Sequence, residues 1–190
     1  MIKVFIDQGH NPTNPNAGAE GSGLREQDLV YEIGIRLAEL LNSDPEFEAR
    51  LSRNSPTEIL GETTAQSLRA RTDAANSWGA DIFISLHANA STVTSASGSE
   101  GLVYKIPSAA YTLSEDILTE LSLATGLQNR GTTARPGLYV LRKTKMPAVL
   151  VELGFITNAG DAALMRDEPE LLARGIYEGI RRYYGLPTTV

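Results

Sequence analysis

The chain contains two histidines, and each closes a run that reads as a buried strand: Val4-Phe5-Ile6-Asp7-Gln8-Gly9-His10 and Ile82-Phe83-Ile84-Ser85-Leu86-His87. In an open α/β sheet, ligands and chemistry gather outside the carboxyl ends of the strands, so two imidazoles delivered there can meet at one point. Imidazole is a common metal ligand, and a catalytic zinc takes three protein ligands while keeping a fourth position for water. No cysteine occurs among the 190 residues, which removes thiolate ligands, a cysteine nucleophile and disulfides together. The third ligand must then be a carboxylate. Glu26 is the best placed acid, because it comes after the Asn-, Pro- and Gly-rich stretch leaving His10 and lies in the first turn of an amphipathic helix. Acids favour first turns through the helix dipole alone, so residue type leaves Glu26 open between ligand and ordinary helix start.

A second unusual acid, Glu152, lies in the run Pro147-Ala148-Val149-Leu150-Val151-Glu152-Leu153-Gly154-Phe155. An ionised carboxylate in so apolar a segment is costly without a charged partner. A metal would be one such partner, and would suit a group that takes a proton from water and passes it to a leaving amine. A buried arginine is the structural alternative. Arg71, inside the helix ahead of the His87 strand, is read as an internal ion-pair partner. Asn76 and Asn89 flank the same unit, Asn89 close enough to His87 to touch substrate or orient a loop, while Glu20 and Glu100 read as solvated loop acids. HExxH, Gly-x-Ser-x-Gly and Gly-x-x-x-x-Gly-Lys are all absent, and Thr13 stands three residues after His10 where a zinc carboxypeptidase needs Glu.

The elements that must position these groups alternate between strand and helix. Residues 2–7 read as a buried strand and 11–24 as a loop. A helix begins near Arg25, with Leu29, Ile33, Leu37, Leu40 and Leu41 at helical spacing. Further strands are expected near 47–52, in the segment ending at His87, and over 101–105, 138–141 and 148–152, with residues 91–99 as a loop. Helices are expected over 65–78, stopped by Gly79, over 112–125, stopped by Gly126, and from about Pro169 to Tyr184, with Asp167 as N-cap. Such alternation implies a mostly parallel sheet covered on both faces. At 42% hydrophobic residues the chain suits one compact domain, 1–186, with 187–190 as the start of a linker or tail. The net charge of -6 argues against a nucleic-acid partner. No apolar run approaches the roughly 20 residues of a membrane span, and Met1-Ile2-Lys3 leads into a strand rather than a signal peptide.

Five motifs in order make the pattern specific: Ile6-Asp7-Gln8-Gly9-His10; Gly23-Leu24-Arg25-Glu26-Gln27-Asp28; Leu68-Arg69-Ala70-Arg71 with Ala75-Asn76; Ser85-Leu86-His87-Ala88-Asn89; and Val151-Glu152-Leu153-Gly154-Phe155-Ile156-Thr157-Asn158. Over about residues 2–184 the chain resembles the N-acetylmuramoyl-L-alanine amidases of the family often called amidase 3. The resemblance implies a single-domain α/β fold, a twisted and mostly parallel six-stranded sheet with helices on both faces (phosphorylase/hydrolase-like). It implies Zn2+ as the cofactor, held by His10, Glu26 and His87, with Glu152 as catalytic acid/base, and so resolves Glu26 as a ligand. The implied reaction is hydrolysis of the amide between the lactyl group of N-acetylmuramic acid and L-alanine in peptidoglycan, at the cell wall or outside the cell. Gln8 and Asn11-Pro12 depart from the Asp-Pro-Gly-His-Gly-Gly of many members, and Leu102 aligns where many carry Glu.

Two neighbouring readings stay open. One is a zinc peptidase acting on another amide, with Arg130, Arg135 and Arg142 available to a terminal carboxylate; the other is a non-catalytic wall-binding module. Bacterial walls and this chain are both anionic, so a separate wall-targeting domain or an activator protein is the expected partner. A host autolysin, a sporulation enzyme and a phage endolysin would all fit.

Overall fold

The computed structural model describes residues 1–188. In chain order its elements are β1 (Ile2–Gln8), β2 (Glu20–Gly21), β3 (Leu24–Arg25), α1 (Glu26–Ser43), β4 (Phe47–Leu51), α2 (Thr64–Trp78), β5 (Ile82–Asn89), β6 (Ser99–Val103), α3 (Ala109–Thr125), β7 (Asn129–Ala134), α4 (Tyr139–Lys143), β8 (Ala148–Phe155), α5 (Ala159–Asp167) and α6 (Pro169–Tyr183). Six strands form one sheet in the order β4-β1-β5-β8-β6-β7, and β2 pairs with β3 apart from it. Strands β4, β1, β5 and β8 run parallel, whereas β6 is antiparallel to β8 and carries β7 parallel to itself. This is the expected single-domain, mostly parallel six-stranded α/β sheet.

The central strands are apolar on both sides because helices cover both faces. On the larger face, Val4, Ile6, Ile84, Leu86, Val149 and Val151 pack with Leu37 of α1, Ile117 of α3 and Ile176 of α6. Helices α3 and α6 approach closely enough that a Cβ at Gly179 would lie 2.4 Å from the Ile117 Cα. The other face holds a smaller cluster in which Phe5, Phe83, Leu102 and Leu150 meet Ala75 of α2 and Val140 and Leu141 of α4. Alternation along the strands then carries that smaller face on to polar residues. Two residues beyond Phe5, Phe83 and Leu150 come Asp7, Ser85 and Glu152, and two beyond Ser85 comes His87. The smaller face is thus apolar at one end and polar at the carboxyl ends of β1, β5 and β8.

Helix boundaries obey local chemistry. Thr63 and Ser108 cap α2 and α3 by accepting from the Gln66 and Tyr111 amides, and Gly79 and Gly126 end them in the left-handed region. Residues 138–141 are not the expected strand: neighbouring Val140 and Leu141 enter the same apolar cluster, which one turn of helix allows, whereas a strand sends neighbours to opposite faces. Asp167 ends α5 and does not cap α6, whose N-cap is Glu168 ahead of Pro169. Residues 20–25 contain the short β2–β3 pair in place of continuous loop. The Pro187 carbonyl accepts from Arg181 Nε at 2.8 Å, and the last two residues of the expected 187–190 tail lie outside the described residues. No described helix is long and apolar enough to cross a membrane.

One buried ion pair joins α2 to the end of β1. Arg71 and Asp7 are each 1% exposed and pair at 2.7 Å, and Arg71 also donates to the carbonyls of Gln8 and His10 at 2.6 and 2.5 Å. Asp7 Oδ2 accepts from Ser85 Oγ at 2.7 Å, tying β1 to β5. Burial alone would raise the Asp7 pKa, but Arg71 and the Ser85 hydroxyl outweigh it and hold the carboxyl below its usual range. Asp7→Ala leaves a buried guanidinium without its counter-charge, so urea unfolding at neutral pH should show a loss of about 3–5 kcal/mol. Because the folded pKa is depressed, the ionic part of this stabilisation is present above the unfolded value of about 3.9. It is lost as pH falls from there through the folded value, and the wild-type advantage should shrink over that window.

Candidate metal centre

Three chain segments converge above the polar end of the smaller face. After β1, the Gly9 amide donates to the Leu86 carbonyl at 3.1 Å. His10 then turns into the left-handed region at φ 67, with its carbonyl held by Arg71. Non-glycine residues seldom adopt that φ, and the buried guanidinium overdetermines it here. The second segment is the start of α1. Glu26 Oε2 accepts from the Ala19 amide at 2.9 Å and Oε1 from the Ala88 amide at 3.0 Å, so backbone groups from two segments fix both carboxylate oxygens. The third is the end of β5, which presents His87.

His87 Nδ1 lies 3.0 Å and His10 Nε2 3.1 Å from the same oxygen, Glu26 Oε1. The rings meet edge to face at 4.9 Å. One ligand-type atom from each residue falls within a common 4.8 Å. Three ligands about 2.0–2.1 Å from a tetrahedral ion would stand roughly 3.3 Å apart, so contacts of 3.0 and 3.1 Å suit a metal's coordination edge. Two imidazoles and a carboxylate are also a normal zinc donor set. The residues fit such an ion.

The electrostatics agree. Burial alone would raise the Glu26 pKa, yet the His10 and His87 contacts outweigh it and hold the carboxyl well below its ordinary range. Burial would depress the His87 imidazole, but Glu26, Glu152 and Asp7 reverse the sign and raise it. Glu152 is directly opposite His87 across β5 and β8. Burial pushes its pKa up to about 7; His87 opposes this, and Glu26 and Glu100 add to it. Its Oε2 is buried with no hydrogen-bond partner among the described residues, and no arginine pairs with it there. A cavity of about 130 Å³ opens beside both histidines, walled by Leu68, Leu138, Tyr139 and Leu150.

His10, Glu26, His87 and Glu152 therefore stand together. Other candidates from the sequence do not join them. Asn76 bonds the backbone of Lys143 and Lys145 at 2.9 Å each, holding α2 to the end of α4. Arg71 serves the β1 turn. Arg130, Arg135 and Arg142 are exposed, Arg130 donating to the Ser97 carbonyl and Arg142 lying by the Tyr139 ring. Glu100 is a correction: it is a half-buried residue of β6, not a loop acid, directly opposite Glu152 and bonded by Asn89 Nδ2 at 2.9 Å. Its spacing of two from buried Leu102 carries that signal, hidden by the expected strand start at Gly101. Sequence reasoning also misses Gly9, where a Cβ would lie 2.6 Å from His87 Cε1 and 2.7 Å from Nε2.

A family model described as N-acetylmuramoyl-L-alanine amidase matches residues 4–182. The N-acetylmuramoyl-L-alanine amidase CwlM of Bacillus licheniformis is 37% identical over 190 residues, covering 98% of this chain and 70% of its own. The sporulation-specific N-acetylmuramoyl-L-alanine amidase of Bacillus subtilis is 35% identical over 193 residues, covering 100% and 71%. For LytC of the same organism, 36% identical, the match covers 95% of this chain but 35% of that protein. The CwlV catalytic domain of Bacillus (Paenibacillus) polymyxa matches with a TM-score of 0.86 at 30% identity, covering 98% and 100% of the two chains. The CwlD amidase of Clostridioides difficile, solved with the GerS lipoprotein, gives 0.89 at 27% identity, covering 97% and 99%.

Gly9→Ala should force the His87 ring off Glu26, because the added Cβ would also lie 2.6 Å from the backbone carbonyl of Leu86, leaving the ring as the neighbour that can move. The expected readouts are displaced His87 imidazole NMR resonances and a loss of divalent-cation affinity in a competition titration. Unchanged resonances and affinity would remove the steric role given to Gly9.

Proposed function

The chain belongs to the N-acetylmuramoyl-L-alanine amidase family, and from that premise we propose that it is a zinc-dependent peptidoglycan hydrolase. It cleaves the amide joining the lactyl group of N-acetylmuramic acid to L-alanine, with His10, Glu26 and His87 holding the zinc and Glu152 acting as acid and base. The observation that carries this reading is the convergence of His10 Nε2 and His87 Nδ1 on Glu26 Oε1, with Glu152 opposite His87.

When bound, zinc supplies a Lewis acid that polarises the amide carbonyl and acidifies water. The protein's own groups do the rest. The Ala19 and Ala88 amides stop the Glu26 carboxylate from rotating, and Arg71 holds the backbone from which His10 projects. Glu152, whose Oε2 has no competing donor among the described residues, takes the proton from the attacking water. As the C–N bond breaks it delivers that proton to the alanine nitrogen, leaving a lactyl carboxylate and a free amino terminus. A pKa raised toward neutrality suits a group that must both accept and release a proton.

The site of action is the cell wall. With a net charge of -6 the domain should not adhere to an anionic wall by electrostatics alone. A wall-targeting segment or a protein partner would then supply local concentration. Two observations support this: the matched region is about a third of LytC, and the CwlD structure contains a lipoprotein.

On purified peptidoglycan, the zinc-loaded protein should release new L-alanine amino termini and no new reducing ends, and EDTA should abolish the release. Glu152→Gln should keep its zinc while kcat drops by about 10²–10⁴-fold. Turnover retained in that variant would sink its assigned role, and reducing ends without amino termini would sink the reaction.

A further inference from the structure

We propose that Glu100 is a substrate-binding residue that receives the amino group on the leaving side of the scissile bond; this rests on the amidase reading above. Three side chains stand in a row on one sheet face. Glu152 is the register partner of His87 on one side and of Glu100 on the other, across β5, β8 and β6. Adjacent strands are about 4.8 Å apart, so Glu100 presents its carboxylate one strand beyond Glu152.

The row gives the reaction a direction. The carbonyl belongs at His10, Glu26 and His87, over β1 and β5, and the proton comes from Glu152 on β8. The nitrogen that receives it therefore departs toward β6, where Glu100 stands. Hydrolysis adds water across the C–N bond, so the product nitrogen becomes a primary amine. A free α-amino group has a pKa of about 7.7–8.0 and is mostly an ammonium at neutral pH. That ammonium offers three N–H donors where the amide offered one. Glu152 can accept one of them and Glu100 a second.

Glu100 is held ready for such a donor. Asn89 Nδ2 fixes its Oε1 at 2.9 Å, and Asn89 Oδ1 in turn accepts from the Ala90 amide at 2.8 Å. No lysine or arginine pairs with Glu100 among the described residues, and its Oε2 takes no hydrogen bond there. Glu152, its register partner, has an Oε2 that is buried and also unpartnered among the described residues. Like charges directly opposite each other in a sheet repel, and a cation between them would offset this. The ligand class is thus the ammonium terminus of an L-alanyl stem peptide.

The test compares two inhibitors of the zinc-loaded protein, a stem peptide beginning with free L-alanine and the same peptide N-acetylated. Each is measured by inhibition of turnover and by calorimetric binding. Wild type should bind the free-amine form about tenfold tighter, the scale of one charged hydrogen bond. Glu100→Gln should abolish that preference at unchanged zinc content and unchanged affinity for the acetylated peptide. Asn89→Ala, which frees Glu100 without removing it, should reduce the preference in part, and serves if Glu100→Gln does not fold. A preference absent in wild type, or surviving in folded Glu100→Gln, overturns the proposal. Failure of wild type to release L-alanine termini from peptidoglycan would overturn the amidase reading instead, and is scored separately from the peptide preference.

Discussion

The Arg71–Asp7 pair is the interaction on which the site depends. Burying two charges is expensive, and a buried pair is often no more stabilising than a well-packed apolar substitute. Its value here is positional. The guanidinium takes the Asp7 carboxylate and the carbonyls of Gln8 and His10 at once, so the backbone leaving β1 has one conformation. That conformation includes the left-handed turn at His10. The Gly9–Leu86 hydrogen bond ties this loop to the strand bearing the other histidine, and the multidentate donor beneath fixes the turn that follows it.

A second constraint is the parity of the strands. Aromatic and aliphatic residues occupy the lower part of the smaller face, and the same alternation delivers Asp7, Ser85, His87 and Glu152 above them. Because β6 runs opposite to β8, its amino-terminal half reaches the same level, which puts Glu100 beside Glu152. A parallel β6 would have brought its carboxyl end there instead. The reversed strand is thus part of how the site is assembled.

Much of this is legible from local chemistry. His10, His87 and Glu152 stand out because polar residues interrupt runs that otherwise read as buried strand. Gly79 and Gly126 mark helix ends because a left-handed φ suits glycine. The elements that stay hidden depend on contacts distant in sequence. The β7 segment Asn129–Ala134 contains no large apolar residue, and is a strand because β6 lies beside it. Helix α4 looks like strand by composition and is helical because both Val140 and Leu141 face α2 and the sheet. Glu100 reads as a loop acid because the direction of β6 cannot be inferred from its own residues.

The backbone clamps on Glu26 have one more consequence. Its carboxylate is anchored by amides at Ala19 and Ala88, in segments that belong to an extensive hydrophobic core. The donor set is therefore organised by folding itself, unlike small zinc modules whose ligands come together only around the ion. The free energy of binding a cation there would then not be consumed in ordering the chain. On the zinc reading proposed above, such a fold would keep its shape when a chelator takes the ion, so metal supply would act as a reversible control on activity and not on survival of the fold.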